Sequence, residues 1–112
     1  MRFKNNITPT DIDGMVEYQD KAMIFMEFKL GDADLPYGQC VALKRNVDNN
    51  QKAGKQSVLL VCQHNIEDCL QDIDAAESIV RRFYYNGHWY EDGKRTAKQV
   101  VDSFIEFLDK PF

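Results

Sequence analysis

The apolar positions of the chain first predict a β-hairpin near its start. Residues 15–18 and 22–30 are apolar and aromatic stretches on either side of residues 19–21, and a loop of this length is an ordinary hairpin connection. The second stretch is apolar on both faces for most of its length, which is typical of a strand in the middle of a sheet. A later apolar run, residues 58–62, predicts another buried strand.

A second hairpin is predicted around Asn86-Gly87. Residues 79–85 and 88–90, on either side of this pair, are rich in aromatic side chains. Asn-Gly favours a type I′ turn, because both central positions of that turn need a positive φ. The aromatic residues predict cross-strand pairs that pack under a helix. A stacking surface for single-stranded nucleic acid is the alternative.

Helical spacing of apolar residues predicts a helix between the first hairpin and the run at 58–62. We expect Asp34 to cap this helix and Pro36 to lie in its first turn, where a missing N–H costs no hydrogen bond. Asn49, Asn50 and Gly54 mark its end. Its apolar positions are Leu35, Cys40, Val41, Leu43 and Val47.

A second helix is predicted near the end of the sequence, after a cap at Thr96. Its apolar positions are Val100, Val101, Phe104, Ile105 and Leu108, which lie on one face of a helix. Residues 109–111 end it. A strand over residues 2–7 and a helical turn over residues 66–70 are weaker expectations.

The predicted order is therefore β-hairpin, helix, strand, β-hairpin, helix. This order indicates an α/β (α+β) fold with a mixed sheet and flanking helices, because a strand that follows a helix can lie parallel to an earlier strand. A length of 112 residues without a Pro/Gly/Ser-rich linker favours a single domain over residues 1–112.

Composition favours a cytoplasmic protein without a membrane partner. No apolar run approaches the length of a bilayer span, and residues 1–10 lack the apolar core of a signal peptide. Three cysteines are an odd number, which fits reduced thiols better than a disulfide framework.

The charge of the chain is unevenly distributed. A net charge of −4 alone argues against a nucleic-acid partner. However, residues 57–79 contain five acids and no Lys or Arg, whereas residues 35–56 are locally basic. The charged residues of that basic segment are Lys44, Arg45, Lys52 and Lys55 against Asp48. The segment is either a solvated helix face or a surface that faces phosphates.

The first hairpin places candidate chemistry on one face of the sheet. If residues 19–21 form the loop, the numbers of two residues paired across the hairpin sum to 40. Asp13 then faces Glu27, and Asp11 faces Lys29. Residues two apart share a face, so all four side chains project together. Adjacent carboxylates repel each other, and Mg²⁺, which takes one or two carboxylates, relieves that repulsion. An exposed surface salt bridge is the alternative.

The sequence contains Thr-Asp-Ile-Asp-Gly at residues 10–14, and then Glu27-Phe28-Lys29 after an apolar strand. This pattern resembles the motif of the PD-(D/E)xK nuclease superfamily. The resemblance covers about half of the chain, from Asp11 to Cys62. The superfamily has the restriction-endonuclease-like fold and includes Holliday-junction resolvases and many phage nucleases. The resemblance therefore implies a DNA nuclease that depends on Mg²⁺ or Mn²⁺.

The resemblance also implies roles for individual residues. Asp13 and Glu27 would bind the metal, with Asp11 as the rival for the first carboxylate, and Lys29 would assist the attacking water. Gln39, on the following helix, is the further candidate catalytic residue. The candidate DNA contacts are Lys44, Arg45, Lys52 and Lys55. Fold analogy adds a homodimer, since cutting or resolving duplex DNA commonly needs two sites.

Two other interpretations remain open. One is a non-catalytic relative that regulates or binds a protein partner or nucleic acid, with the acidic segment 65–77 as its contact surface. The other is a zinc site at Cys62, His64 and Cys69, but their spacing matches no common zinc pattern.

Overall fold

The computed structural model describes residues 12–31, 33–64 and 75–109. Within these residues the chain forms five strands, two helices and one 3-10 turn. In chain order they are β1 (Gly14–Tyr18), β2 (Ala22–Leu30), α1 (Tyr37–Lys52), β3 (Gln56–His64), the 3-10 turn Ala75–Glu77, β4 (Ile79–Tyr85), β5 (His88–Glu91) and α2 (Ala97–Asp109). The predicted order of elements is confirmed, and the expected strand at 2–7 and turn at 66–70 lie outside the described residues.

The five strands form one mixed sheet in the order β1-β2-β3-β4-β5. Strands β2 and β3 are parallel, with α1 as their crossover, and the other neighbouring pairs are antiparallel. The α+β class and the parallel pairing are thus confirmed. Strand β2 lies between β1 and β3, as its apolar residues on both faces predict.

The register of the first hairpin is the predicted one. Gly14 pairs with Met26, and Tyr18 pairs with Ala22, so the partner numbers sum to 40. Tyr18 accepts a 2.8 Å hydrogen bond from the Lys21 N–H, which closes the turn. Since β1 begins at Gly14, the next position outward places Asp13 opposite Glu27.

The core has two layers, one on each face of the sheet. On the first face, Ile24 and Leu60 pack with Val100 of α2. On the second face, Phe25 and Leu59 pack beneath α1. Because side chains alternate along a strand, Glu27 shares the second face with Phe25 and points toward the α1 side.

The two helices begin differently. Thr96 caps α2 as predicted: its hydroxyl accepts a 3.2 Å hydrogen bond from the Gln99 N–H, while the Gln99 side chain accepts one from the Thr96 N–H. The predicted cap of α1 is wrong. Pro36 occupies the capping position without a side-chain hydrogen bond, so Asp34 lies too early in the chain. Its carboxylate instead lies 3.3 Å from the Arg82 guanidinium.

The second hairpin contains the predicted type of turn. Asn86 and Gly87 have φ values of 52° and 78°, as a type I′ turn requires. The aromatic side chains form cross-strand pairs on opposite faces. Tyr84 and Trp89 lie on the α1 side with ring centroids 5.3 Å apart, and Phe83 stacks on Tyr90 at 5.2 Å on the α2 side.

No helix within residues 12–31, 33–64 and 75–109 is long and apolar enough to cross a membrane.

Candidate metal and nucleic-acid site

The carboxylates of Asp13 and Glu27 meet at the end of the first hairpin. The Asp13 N–H donates a 3.2 Å hydrogen bond to Glu27 Oε2, and the Phe28 N–H donates a 2.9 Å hydrogen bond to Asp13 Oδ2. The backbone of each strand therefore supports the carboxylate of the other. Glu27 is fully buried, with 0% exposure, whereas Asp13 is exposed. The pair thus consists of one buried and one exposed acid.

The environment of Glu27 holds a proton on its carboxylate near neutral pH. The pKa of Glu27 is raised from 4.5 to about 7, mainly by burial and in addition by the hydrogen bond and the charge of the Asp13 carboxylate. The Asp13 N–H and the positive charge of Lys29 act in the opposite direction. The Glu27 carboxyl is therefore kept partly protonated near neutral pH unless a cation offsets its charge.

Gln39 joins this pair from α1. Its Nε2 donates a hydrogen bond to Glu27 Oε1, while Glu27 Oε2 accepts from the Asp13 backbone. Gly31 makes this contact possible, because its φ of 58° lets the chain turn sharply after β2. The Gly31 N–H then donates to the His64 carbonyl at 2.8 Å, and the helix begins beside the end of β2.

Lys29 completes the group. It follows Glu27 by two positions on β2 and shares its face, and its charge lowers the pKa of Glu27. The structure therefore brings together four of the residues singled out in the sequence: Asp13, Glu27, Lys29 and Gln39. Asp11 lies outside the described residues.

The basic residues proposed for DNA binding lie at different distances from the carboxylates. The Lys44 ammonium lies 5.1 Å from the centre of the Tyr84 ring, and Arg45 is exposed on α1. Lys52 is in the last turn of α1, and Lys55 forms an ion pair with Asp20 of the first hairpin turn.

Lys55 lies at the far end of the sheet from Glu27. It directly precedes Gln56, which pairs with Ala22 at the start of β2. At a strand rise of about 3.3 Å per residue, Ala22 is about 17 Å from Glu27. Lys55 and the neighbouring end of α1 therefore do not belong to the immediate surroundings of the carboxylate pair.

Arg82, which the sequence interpretation did not assign to the site, lies nearer to Glu27 than Lys55 does, and Arg81 precedes it in the chain. Arg81 and Arg82 are consecutive in β4, so regular alternation would place them on opposite faces. A β-bulge where Val61 and Cys62 pair with β4 interrupts that alternation. Both guanidiniums reach Asp34, in the connection from β2 to α1. A pair of arginines in an aromatic strand was visible in the sequence, but the bulge was not.

The donor set fits a hard divalent cation. Mg²⁺ accepts one or two carboxylates and completes its shell with water and substrate phosphate, and Asp13 and Glu27 supply two carboxylates. Residues 12–31, 33–64 and 75–109 contain no cluster of three or more His, Cys, Asp or Glu side chains arranged for a metal. Zinc at Cys62 is disfavoured, because burial raises the pKa of its thiol to about 12 and zinc needs the thiolate.

We expect Mg²⁺ binding to depend on pH in the range where Glu27 titrates. A cation must displace the Glu27 proton, so affinity should rise about tenfold per pH unit between pH 5.5 and 7 and level off above pH 7. Isothermal titration calorimetry in buffers of different ionisation enthalpy should show release of about one proton per cation at pH 6. Glu27→Gln, which cannot release this proton, is the control. An affinity that stays constant from pH 5.5 to 8 would contradict the expectation.

Comparison with known proteins identifies no relative. No protein-family model matches the sequence, and no curated protein or solved structure gives a match. The function of the site must therefore be inferred from its own geometry and charges.

Proposed function

We propose that the protein is a nuclease that hydrolyses phosphodiester bonds in DNA with Mg²⁺ or Mn²⁺, in the manner of the PD-(D/E)xK enzymes. The observation that supports this most strongly is the buried Glu27 carboxylate, which contacts exposed Asp13 beside Lys29 and Gln39. A buried carboxylate beside a second one is costly to ionise. Metal binding explains this arrangement, because a bound cation would offset the negative charges of both carboxylates.

The exposed salt bridge, which the sequence left as the alternative, explains the arrangement less well. Surface ion pairs leave both partners in contact with water and contribute little to stability. Glu27 instead has 0% exposure and a pKa raised to about 7. A side chain selected only for packing or solubility at this position would not need to be acidic.

Each residue has a separate role in the proposed reaction. Asp13 and Glu27 hold the cation, with Asp11 as the alternative first carboxylate. When bound, a divalent cation polarises the phosphoryl oxygen and makes a coordinated water more acidic. Gln39 fixes the orientation of Glu27 through Oε1. Lys29 holds the attacking water and stabilises the negative charge that develops on the phosphate.

The wider surface would bind the substrate. Lys44, Arg45, Lys52 and Lys55 would contact DNA phosphates, which makes binding weaker as salt increases. Because Lys55 lies far from Glu27, it would contact DNA remote from the cleaved bond. We also propose a homodimer, by analogy with enzymes that cut both strands, and a cytoplasmic location, where the Cys40 and Cys62 thiols stay reduced.

Asp13→Asn tests the proposed function. Replacing a metal-binding carboxylate with an amide should lower Mg²⁺-dependent cleavage about 100-fold, which corresponds to roughly 3 kcal/mol of transition-state stabilisation. The measurement is the cleavage rate on linear, branched and single-stranded DNA with Mg²⁺, Mn²⁺ or EDTA.

Asp102→Asn is the matched control, because Asp102 lies on α2 and pairs with Lys98 there. This variant should cleave as the wild type does. Equal cleavage by wild type and Asp13→Asn would reject the assignment, because the activity would then come from another site or another protein. DNA binding without cleavage by the wild type would instead favour the non-catalytic interpretation.

A further inference from the structure

Arg81 and Arg82 form a pair of positive charges that the proposed catalytic roles leave unused. Val61 pairs with Arg82, whereas the next residue, Cys62, pairs with Val80, so Arg81 is the extra residue of the β-bulge. A bulge turns consecutive side chains toward the same side of the strand. The two arginines consequently reach the same loop.

The two guanidiniums converge on a single oxygen. Arg82 Nη2 lies 3.3 Å and Arg81 Nη1 lies 4.0 Å from Asp34 Oδ1, and Arg81 Nη1 also donates a 3.2 Å hydrogen bond to the Ala33 carbonyl. Carboxylates and phosphates offer similar oxygens to the arginine fork. The position that Asp34 Oδ1 occupies is therefore one where a phosphate oxygen fits.

Arg82 is held in place for such a contact. Its guanidinium lies 4.2 Å from the centre of the Trp89 ring, and this contact restrains the orientation of the fork. Its buried Nε has no hydrogen-bond partner in the described part of the chain. An unpaired buried donor is unfavourable, and a phosphate with several oxygens offers acceptors for both Nε and Nη2.

The arginines lie beside the carboxylate pair. Glu27 pairs with Val61, and Val61 pairs with Arg82, so the three side chains share the α1 face of the sheet. Two strand spacings of about 4.8 Å place the backbone of Arg82 about 10 Å from that of Glu27. With one phosphate per roughly 3.4 Å of axis along a DNA strand, this separation corresponds to a few nucleotides.

The ion pairs of the two arginines with Asp34 are weak enough for a phosphate to replace Asp34. The Asp34 side chain is 67% exposed, and ion pairs at such positions contribute little to stability. The acid belongs to the loop that leads into the helix of Gln39, at the same end of the sheet as Glu27. Asp34 therefore lies where a substrate strand would pass on its way to the carboxylates.

We propose that Arg81 and Arg82 bind a backbone phosphate of the substrate DNA strand, a few nucleotides from the cleaved bond, and that Asp34 occupies this phosphate site in the free protein. This inference rests on the proposed nuclease function, because it names the residues that hold the strand on which that function acts. Asp34 competes with DNA for the two arginines and so lowers the affinity for the strand.

DNA binding without cleavage tests the proposal. Fluorescence anisotropy with a labelled single-stranded oligonucleotide, in EDTA, measures affinity for the wild type and for Arg81→Gln, Arg82→Gln and Asp34→Asn. Each arginine variant should bind about tenfold more weakly, with the slope of log affinity against log salt reduced by about 0.7. Asp34→Asn should bind about threefold more tightly, because it removes the negative charge that competes with a phosphate for the two arginines.

Lys98→Gln is the matched control for loss of one positive charge, since Lys98 is an exposed residue of α2; it should bind within twofold of the wild type. A purely structural role for the arginine cluster predicts that Asp34→Asn does not tighten binding. That result overturns the proposal, as does wild-type affinity in folded Arg81→Gln and Arg82→Gln.

Different results would reject the proposed nuclease function and the proposed phosphate site. If the wild type does not cleave DNA with Mg²⁺ or Mn²⁺ but the anisotropy pattern holds, the nuclease assignment fails and the phosphate site stands. If the wild type cleaves DNA but Asp34→Asn and the arginine variants bind as the wild type does, the phosphate site fails alone.

Discussion

Glu27→Gln is expected to reduce Mg²⁺-dependent DNA cleavage about a thousandfold. It should also make the unfolding free energy of the metal-free protein fall less as pH rises. Cleavage falls because an amide is a far weaker ligand for a hard cation than a carboxylate; the loss corresponds to about 4 kcal/mol of transition-state stabilisation. The amide oxygen of the variant can still accept the hydrogen bond from Gln39. Its NH₂ group cannot accept the Asp13 N–H that Glu27 Oε2 accepts in the wild type, so the stability of the variant is measured alongside its cleavage.

The stability effect follows from the raised pKa of Glu27. Its pKa is about 7 in the folded protein against an ordinary value of 4.5, so the folded state binds the proton more tightly than the unfolded state. The resulting stabilisation is fully present below pH 4.5, decreases as pH rises, and is lost once pH exceeds about 7. Between pH 5 and 8 this amounts to about 2–3 kcal/mol of unfolding free energy, which Glu27→Gln should not lose.

Urea denaturation in EDTA at pH 5 and pH 8 measures this effect. The unfolding free energy of Glu27→Gln relative to the wild type should increase by about 2–3 kcal/mol from the lower to the higher pH. Glu106→Gln makes the same chemical change on an exposed face of α2 and should follow the wild type within about 0.5 kcal/mol. A constant difference between Glu27→Gln and wild type at both pH values would show that Glu27 titrates normally.

Lys29→Met is expected to lower the rate of cleavage by about 10²–10⁴ while changing DNA affinity little. Lysine at this position acts on the water and on the charge of the transition state, and groups with such roles typically contribute this much. Methionine keeps much of the length of the side chain. Because the Lys29 charge lowers the pKa of Glu27, the variant should also need a higher pH for Mg²⁺ binding.

The measurements for Lys29→Met are single-turnover cleavage with saturating protein and DNA anisotropy in EDTA. Lys21→Met is the control, since Lys21 lies in the exposed turn at the other end of the same hairpin. Unchanged single-turnover cleavage in Lys29→Met would exclude Lys29 from the reaction. A loss explained entirely by weaker DNA binding would make Lys29 a substrate contact only.

The sequence by itself was sufficient to predict the arrangement of the first hairpin. The short loop at residues 19–21 determines which residues face each other, and the two-residue period of a strand determines which share a face. Together they place Asp13 opposite Glu27, as the register extended from Gly14 and Met26 shows. The Asn86-Gly87 turn and the Thr96 cap were predictable for the same reason, since each depends on residues close in sequence.

Only the tertiary structure decided the chemical character of Glu27. Its burial depends on α1 and β3 packing around the end of β2, and burial is the main cause of its raised pKa. The contact with Gln39 also requires the helix to begin beside this strand. Composition and spacing contain no direct measure of how far a carboxylate will be removed from water, because that depends on segments distant in the chain.

The tertiary structure likewise decided which positively charged side chains surround the site. Asp34 was expected to cap α1 but binds Arg82, because Pro36 takes the capping position and the β4 bulge directs both arginines toward the loop. Lys55, a proposed DNA contact, lies at the end of the sheet far from Glu27. Local periodicity determines elements and pairing, whereas a bulge, a buried charge and the convergence of Arg81 with Arg82 arise only when distant strands and loops pack together.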